Sequence, residues 1–529
     1  MADFSPNTKE LVAKYQAWYE SFQPKEAGSV LSVDEIASKV AAFYEKIRGV
    51  VDWQEEHLLR KTAIGRILRR RLLMKTDGEE IAEGLLQELV RGGHFPNNQL
   101  PLSTIDKVQA IVDKYTFLIA NQAKNGHEEH HHLSMEDWLL DIAASEIEES
   151  VAPPLRERAL IEYMVEDIKE RIRFPDNVSS SMTEDEKGLH IAIAVRRSLF
   201  HMDEATLSFH ILEKLFPSWH TPSTDTLSQI SEHVGNTRDR IEEVLHHPLA
   251  ERFYQLTSTY DTPYLLLGDI LGENPKEFEA MYAEGAKLEA AISQAYRVRL
   301  SKLGDKIKKA AVWSTLSIFA TKVVIVLIVE VPLERYLTHT VNELALGLSI
   351  AVPTLLMMLL VLNVRSTSEE NYRRVVMEVM KLAYSKERKD SYELSIPKKK
   401  SGGVSLIYGL SFVLSFGALA WGLDKLTLPP LSIGILLFFL SLVAFAGTRI
   451  RSRAKELLII QEREGILMGI FDLFSLPIIY AGKWFSGQIS RYNVLPLLLS
   501  FLVEIPFQVF VSFLEQWRNF LKEKKEEIH

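Results

Sequence analysis

The sequence predicts an all-α protein in two parts, a large helical cytosolic domain followed by a polytopic α-helical membrane domain. Three observations carry this reading. Apolar residues recur at helical spacing between helix caps and stops, and no run of strict apolar/polar alternation bounded by turn residues stands out. Every long uncharged apolar run lies after residue 297. Charge divides in the same place: residues 1–296 carry 31 basic and 50 acidic side chains, whereas residues 297–529 carry 30 and 20. The chain has 529 residues, enough for more than one domain, and no cysteine. The missing thiols exclude a disulfide framework, thiolate zinc sites, Fe–S ligation and thiol catalysis.

The first stretch, MADFSPNTKELVAKYQAWYE (1–20), has no basic start followed by an apolar core, so no cleavable signal is expected and this region stays where it is made. A hydroxyl followed three residues later by an acid marks helix starts at Ser32/Glu35, Ser103/Asp106, Ser134/Asp137 and Thr183/Glu186. After Ser32, Ile36, Val40, Phe43 and Ile47 share one helical face. The basic run Arg60-Lys61…Arg66…Arg69-Arg70-Arg71 is interleaved with leucines and isoleucines, giving an apolar face with basic flanks. Such a helix suits anionic lipid or nucleic acid, but the acidic surroundings favour arginines paired with carboxylates, and no nucleic acid partner is expected. Stops follow at Gly92-Gly93, Pro153-Pro154, Pro175 and Pro217. The pattern gives about ten helices over residues 1–260, with SWHTPSTD (218–225) as a hinge. A connecting segment, 261–310, is charged and helical without a breaker from Pro275 to Lys309, as in one helix running into the membrane, with Gly285 and Gly304 able to soften it.

A bilayer core of about 30 Å requires roughly 20 mostly apolar residues in helical form. Residues 344–364, 404–423 and 428–448 meet this without an internal charge, and 311–332 meets it around Lys322 and Glu330. These four spans make a membrane domain over 311–448. Arg297, Arg299, Lys302, Lys306, Lys308 and Lys309 precede the first span, and ten basic residues occupy 365–403. The 333–343 and 424–427 connections hold one each, Arg335 and Lys425, and Arg449, Arg451, Arg453 and Lys455 follow the fourth span. The alternation places both ends of the four-span set in the cytoplasm, because positive loops are retained there. In the tail, 449–529, the apolar runs 466–480 and 494–514 are interrupted by Asp472, Pro477, Pro496, Glu504 and Pro506 and flanked by Trp484 and Trp517. They are expected as interfacial or re-entrant helices, with a crossing last helix as the alternative.

The segments ELVRGGHFPNN (88–98), EDWLLDIAASEIEE (136–149), FHILEKLFPSW (209–219) and TKVVIVLIVEVPLE (321–334) resemble stretches of uncharacterised multi-pass membrane proteins of Patescibacteria. The resemblance runs over most of the chain. It implies a bacterial envelope protein with a cytosolic helical region, and it implies no activity.

Candidate chemistry is sparse. His127-Glu128-x-x-His131 matches the zinc-protease spacing, in which two imidazoles one helical turn apart hold the metal and the Glu activates water. Gly126 before the tract and the cap at Ser134 after it place it in a loop, so a protease is the weakest of the readings. No Gly-x4-Gly-Lys-Ser/Thr or Gly-x-Gly-x-x-Gly occurs to cradle a phosphate, and neither a cofactor nor a resident metal is expected. Lys322, Glu330 and Glu504 are the informative polar residues, since a charge in hydrocarbon needs a partner or a water-filled path. Lys322 is expected to pair with Glu504, or with Glu330 on its own helix. The leading expectation is a non-enzymatic protein of the cell (inner) membrane, with its amino terminus cytoplasmic. Its helical region binds a protein partner as a scaffold, and its spans lie in the lipid bilayer. The alternative is a component of a transporter or channel that uses the intramembrane charges.

Overall fold

The computed structural model describes residues 5–21, 29–33, 56–74, 80–121, 134–175, 182–273, 275–338, 342–362, 369–384, 391–394, 402–426, 428–454 and 466–491, with isolated helical positions at 513, 517 and 520. The Ser32/Glu35 cap with the face that follows it, the histidine tract, Glu504 and the 494–514 run lie wholly or in part outside the described residues. Among the described residues the fold is all-α apart from one parallel pairing of two residues on each side and a bridge between Val30 and Pro101. It divides into two compact units: residues up to Glu284 together with the segment from Lys381 to Ser395 form the first, and Gly285–Met380 with Ile396–Val494 form the second.

The first unit contains α1 (Pro6–Ser21), α2 (Glu56–Met74), α3 (Ile81–Arg91), α4 (Ser103–Asn121), α5 (Met135–Val151) and α6 (Leu155–Arg171). β1 (Ile172–Arg173) follows, then α7 (Glu184–Phe200), α8 (Glu204–Leu215), α9 (Thr224–Glu232), α10 (Val234–Leu245), α11 (Ala250–Glu273) and α12 (Phe278–Ala283). Ser134 and Thr183 cap α5 and α7 as the spacing predicts, and Glu186 returns the bond to the Thr183 amide. Ser103 does not cap. The Thr104 and Ile105 amides bond the carbonyls of Pro101 and Leu102, so the chain is already turning and Ser103 is the first helical residue. Gly93 ends α3 at φ 77°, a conformation favourable to glycine, while the His94 amide reaches back to the Leu89 carbonyl.

Helix α5 lies at the centre. Leu139, Leu140, Ile142, Ala143, Ala144 and Ile147 leave at most 2% of their surface exposed, and α2, α4 and α8 pack around them. The basic run sits on α2, and five of its six residues are ion-paired with carboxylates: Arg60 with Glu148, Lys61 with Asp203, Arg69 with Asp137 and Asp141, and Arg70 and Arg71 with Glu88. An apolar face toward α5 and arginines bent onto neighbouring acids account for the composition of this helix.

The expected boundary at residue 260 falls inside α11, and the division between the units falls instead at Glu284/Gly285. A single helix from Pro275 does not form. Glu284 is extended (φ −114°, ψ 91°) and separates α12 from α13 (Gly285–Ile325). Gly304, by contrast, is helical and softens nothing visible.

The second unit continues from α13 through a π-helical segment, Val326–Glu330, into α14 (Val331–Thr338). It adds α15 (Glu343–Leu362), the start of α16 (Glu369–Tyr384), α17 (Gly402–Lys425), α18 (Pro430–Ala454) and α19 (Ile466–Arg491). Ala345, Leu428, Leu436 and Leu440 form its buried core. Among the described residues two helical runs, Gly285–Tyr336 and Pro430–Ser452, are long and apolar enough to cross a membrane, and Ala345–Leu360 is a shorter apolar helix. The 466–480 run is part of a longer element, because α19 continues through Pro477 to Arg491 and packs on α17 and α18.

That last contact depends on a missing side chain. A Cβ at Gly482 would stand 1.9 Å from the Ser441 carbonyl oxygen of α18. Gly482→Ala is therefore expected to force the two helices apart, at about 1–3 kcal/mol. A thermal unfolding series on the purified protein checks this. Gly487→Ala, with nothing within 4 Å, is the control that leaves the midpoint in place.

Candidate functional site

Two buried charge networks stand out, one in each unit. In the second unit the Lys322 ammonium and the Glu330 carboxylate form an ion pair with both side chains 0% exposed. The backbone explains how residues eight apart meet. In an unbroken α-helix of 3.6 residues per turn they stand about 80° apart around the axis. Here the Val331 amide bonds the Val326 carbonyl, five residues back, and the inserted residue turns the later part by about 100°. Glu330 thereby returns to the Lys322 face. Pro332, without an N–H, cannot serve the carbonyl four residues before it, which favours the change of ladder at this point.

The rest of the pocket completes the pair. Ser349 of α15 donates to Glu330 Oε2 at 3.0 Å and lies 3.3 Å from Oε1. The Phe439 ring of α18 lies 4.8 Å from Lys322 Nζ, where an ammonium gains from the ring quadrupole. Of the two partners expected for Lys322, Glu330 is brought to it, and Glu504 lies outside the described residues.

The first unit holds a larger network that the sequence reading missed. Glu146 of α5 accepts from Lys114 Nζ at 2.6 Å, Tyr115 OH at 2.8 Å and Trp219 Nε1 at 3.0 Å. Lys114 also donates to the Trp219 carbonyl at 2.9 Å, fixing the connection after α8 by backbone and ring together. From Glu146 an alternating chain of acids and imidazoles runs along α8. His220 Nδ1 lies 3.6 Å from Glu146, and its Nε2 lies 2.7 Å from Glu213 Oε1. The other Glu213 oxygen meets His210 Nδ1 at 2.9 Å. His210 Nε2 is 3.0 Å from Glu149, though at an angle outside hydrogen-bond geometry, so that contact is ionic. Arg158 holds the remaining Glu149 oxygen at 3.0 Å.

These contacts set the protonation states. Burial pushes Glu146 up, but His220, Lys114 and Tyr115 outweigh it and hold the carboxyl below its usual range. Glu149 and Glu213 are held down in the same way, chiefly by His210 against their own burial. Burial lowers His210, but Glu149 and Glu213 overcome it and the imidazole is raised; Glu146 raises His220, with Glu213 adding and burial opposing. Glu148, one residue before Glu149, differs. Burial pushes it up to about 7 despite Arg60, whose Nε and Nη2 lie 3.0 and 2.7 Å from one of its oxygens. Glu148 and Glu149 line a cavity of about 700 Å³ that also meets Trp18, Arg60, Arg156 and Phe200.

A sequence signal for this network existed in α5. Apolar residues at 139, 140, 142, 143, 144 and 147 span an arc of about 200° around the helix axis, and Glu146 falls inside that arc, so it must be buried with them. Among the described residues no group of three or more His, Asp or Glu is arranged to hold a metal ion. No family model, curated protein or solved structure matches the chain.

Proposed function

We propose that this is a multi-pass membrane protein in which the apolar helices act as an anchor and the amino-terminal helical unit acts as a cytosolic binding or scaffold module for a protein partner. The observation that carries the anchor reading is the closed Lys322–Glu330 pair. Both charges are spent on each other and on Ser349, with no exposed surface. A conducting site needs the same groups to meet water or an ion. The outward faces fit the same reading, since Val312, Leu316, Phe319, Leu327 and Ile328 are exposed along one apolar helical run, a contiguous surface suited to lipid.

Orientation has a support independent of charge counting. Part of the basic connection between α15 and α17 belongs to the first unit. β2 (Tyr392–Glu393) pairs in parallel with β1, and the Leu394 amide donates to the Arg173 carbonyl at 3.2 Å. Arg171 Nη2 donates to the Tyr392 hydroxyl, the guanidinium lies 4.1 Å from the Tyr392 ring, and the Tyr260 ring lies 4.2 Å from it. Tyr163 OH donates to the Leu382 carbonyl at 3.3 Å. A connection built into the amino-terminal unit shares its side of the bilayer.

Because the chain has no cysteine, Ser391→Cys supplies its only thiol. An impermeant thiol reagent is expected to leave it unlabelled in intact cells and to label it after permeabilisation. Labelling from outside overturns the orientation. The transporter reading is tested on the same purified protein in vesicles under a pH or potassium gradient, where flux that Lys322→Met abolishes would replace the anchor reading.

A further inference from the structure

The connection after α8, anticipated as a hinge, is held shut by the alternating acid–imidazole chain. We propose that residues 208–223, the end of α8 with its connection to α9, form a pH-operated latch that is closed while His210 and His220 carry their protons and released when they lose them.

The geometry makes the dependence cooperative. Glu213 gives one oxygen to each imidazole, so its compensation inside the fold comes from both. His210 is 10% exposed and faces Glu149 of α5 and Glu213 of its own helix, with Arg196 of α7 opposing its charge. Arg158 of α6 occupies the far side of Glu149. His220, 61% exposed, closes the chain from its outer side against Glu146 and Glu213, and Lys114 of α4 sits across Glu146. Without the two imidazolium charges, Glu146, Glu149 and Glu213, with side chains 3%, 9% and 24% exposed, are left with fewer cations. The segment that relieves their repulsion by moving is the one bearing Glu213 and His220. Lys114 donates to the Trp219 carbonyl through a bond that neither imidazole enters, so the latch pivots there.

Both imidazoles are raised above 6.5, so their contribution is complete below that pH and is lost as pH rises through their values in the folded protein. The three carboxylates are held below 4.5, which sets the acid limit of the closed state. Glu148 also titrates near neutrality beside Glu149, and it remains in place when the histidines are replaced.

The test uses the full-length protein and its lack of native thiols. Ser208, 2% exposed in α8, becomes the reporter as Ser208→Cys, and exposed Ser218→Cys gives the reference labelling rate at each pH. The ratio of reporter to reference rate is expected to rise severalfold from pH 6 to pH 8.5, as the imidazoles lose their protons. In a His210→Gln/His220→Gln background it is expected to be high and flat. Glu213→Gln, which keeps both histidines and removes the shared carboxylate, is expected to move the midpoint toward that of an ordinary histidine and serves if the double variant fails to fold. A ratio that does not change with pH, or the same rise in the His210→Gln/His220→Gln or Glu213→Gln background, overturns the proposal.

Discussion

Replacing Lys322 with Met, or Glu330 with Leu, is expected to destabilise the second unit by about 3–5 kcal/mol, and replacing both together is expected to recover most of that loss. The asymmetry follows from burial. With both side chains at 0% exposure, removing one partner strands the other charge where water does not reach it. Removing both leaves an apolar pair against Phe439, in a bundle whose other core residues are already leucines and alanine. Ser349 loses its acceptor in the double variant, but a helical serine can turn to the carbonyl one turn back. Reversible unfolding of purified variants in mild detergent measures the cycle. A double variant as unstable as the worse single variant would mean that the pair is needed for something other than compensation of charge. Deleting Ile328, which removes the inserted residue without touching either charge, should reproduce the single-variant loss by turning Glu330 off the Lys322 face.

The first unit is expected to respond differently. Glu146→Leu should cost about 3–5 kcal/mol, for the same reason, because Lys114 is then buried alone. Here adding Lys114→Met does not restore stability. Tyr115 OH and Trp219 Nε1 both donate to Glu146, and each buried donor left without an acceptor costs about 1–3 kcal/mol. A single carboxylate serving donors from α4 and from the α8–α9 connection is a network, and its members do not add pairwise. Chemical denaturation followed by tyrosine and tryptophan absorbance is suited to the comparison. Recovery by the double variant to near the native midpoint would reduce Glu146 to a simple ion pair with Lys114.

The sequence made some of this legible and not the rest, for physical reasons. Local signals read well. A hydroxyl at position zero and an acid at position three describe Thr183 and Ser134 whatever lies around them, and the apolar runs near 344–362 and 430–452 become helices because nothing in them competes. Ser103 failed the same rule because the Pro101–Leu102 turn begins the helix one residue earlier, a matter of backbone geometry rather than residue type. Lys322 was visible as a charge in an apolar run, but its pairing with Glu330 needed the π segment, which has no periodicity of its own to read. Pro332 was the available hint. The acid–imidazole chain was hidden for another reason. Glu146, Glu149, His210 and Glu213 are ordinary surface residues by type, and only packing of α4, α5 and α8 removes most of their water, while His220 stays 61% exposed. The clue lay in the apolar residues of α5, whose arc around the helix includes the position of Glu146.

The short parallel ladder also has a consequence for synthesis. Arg171 and Tyr392 are 221 residues apart, and a ribosome adding about 5–20 residues per second needs roughly 10–45 s to deliver the second after the first. During that interval the segment next to Ile172 has no strand partner, and the tyrosine that stacks on Tyr260 has not been made. The nascent module therefore waits for two apolar helices, α13 and α15, to be made before its last piece arrives. A chain whose second unit misfolds cannot return that piece, so an incomplete first unit would mark the failure from within the same polypeptide.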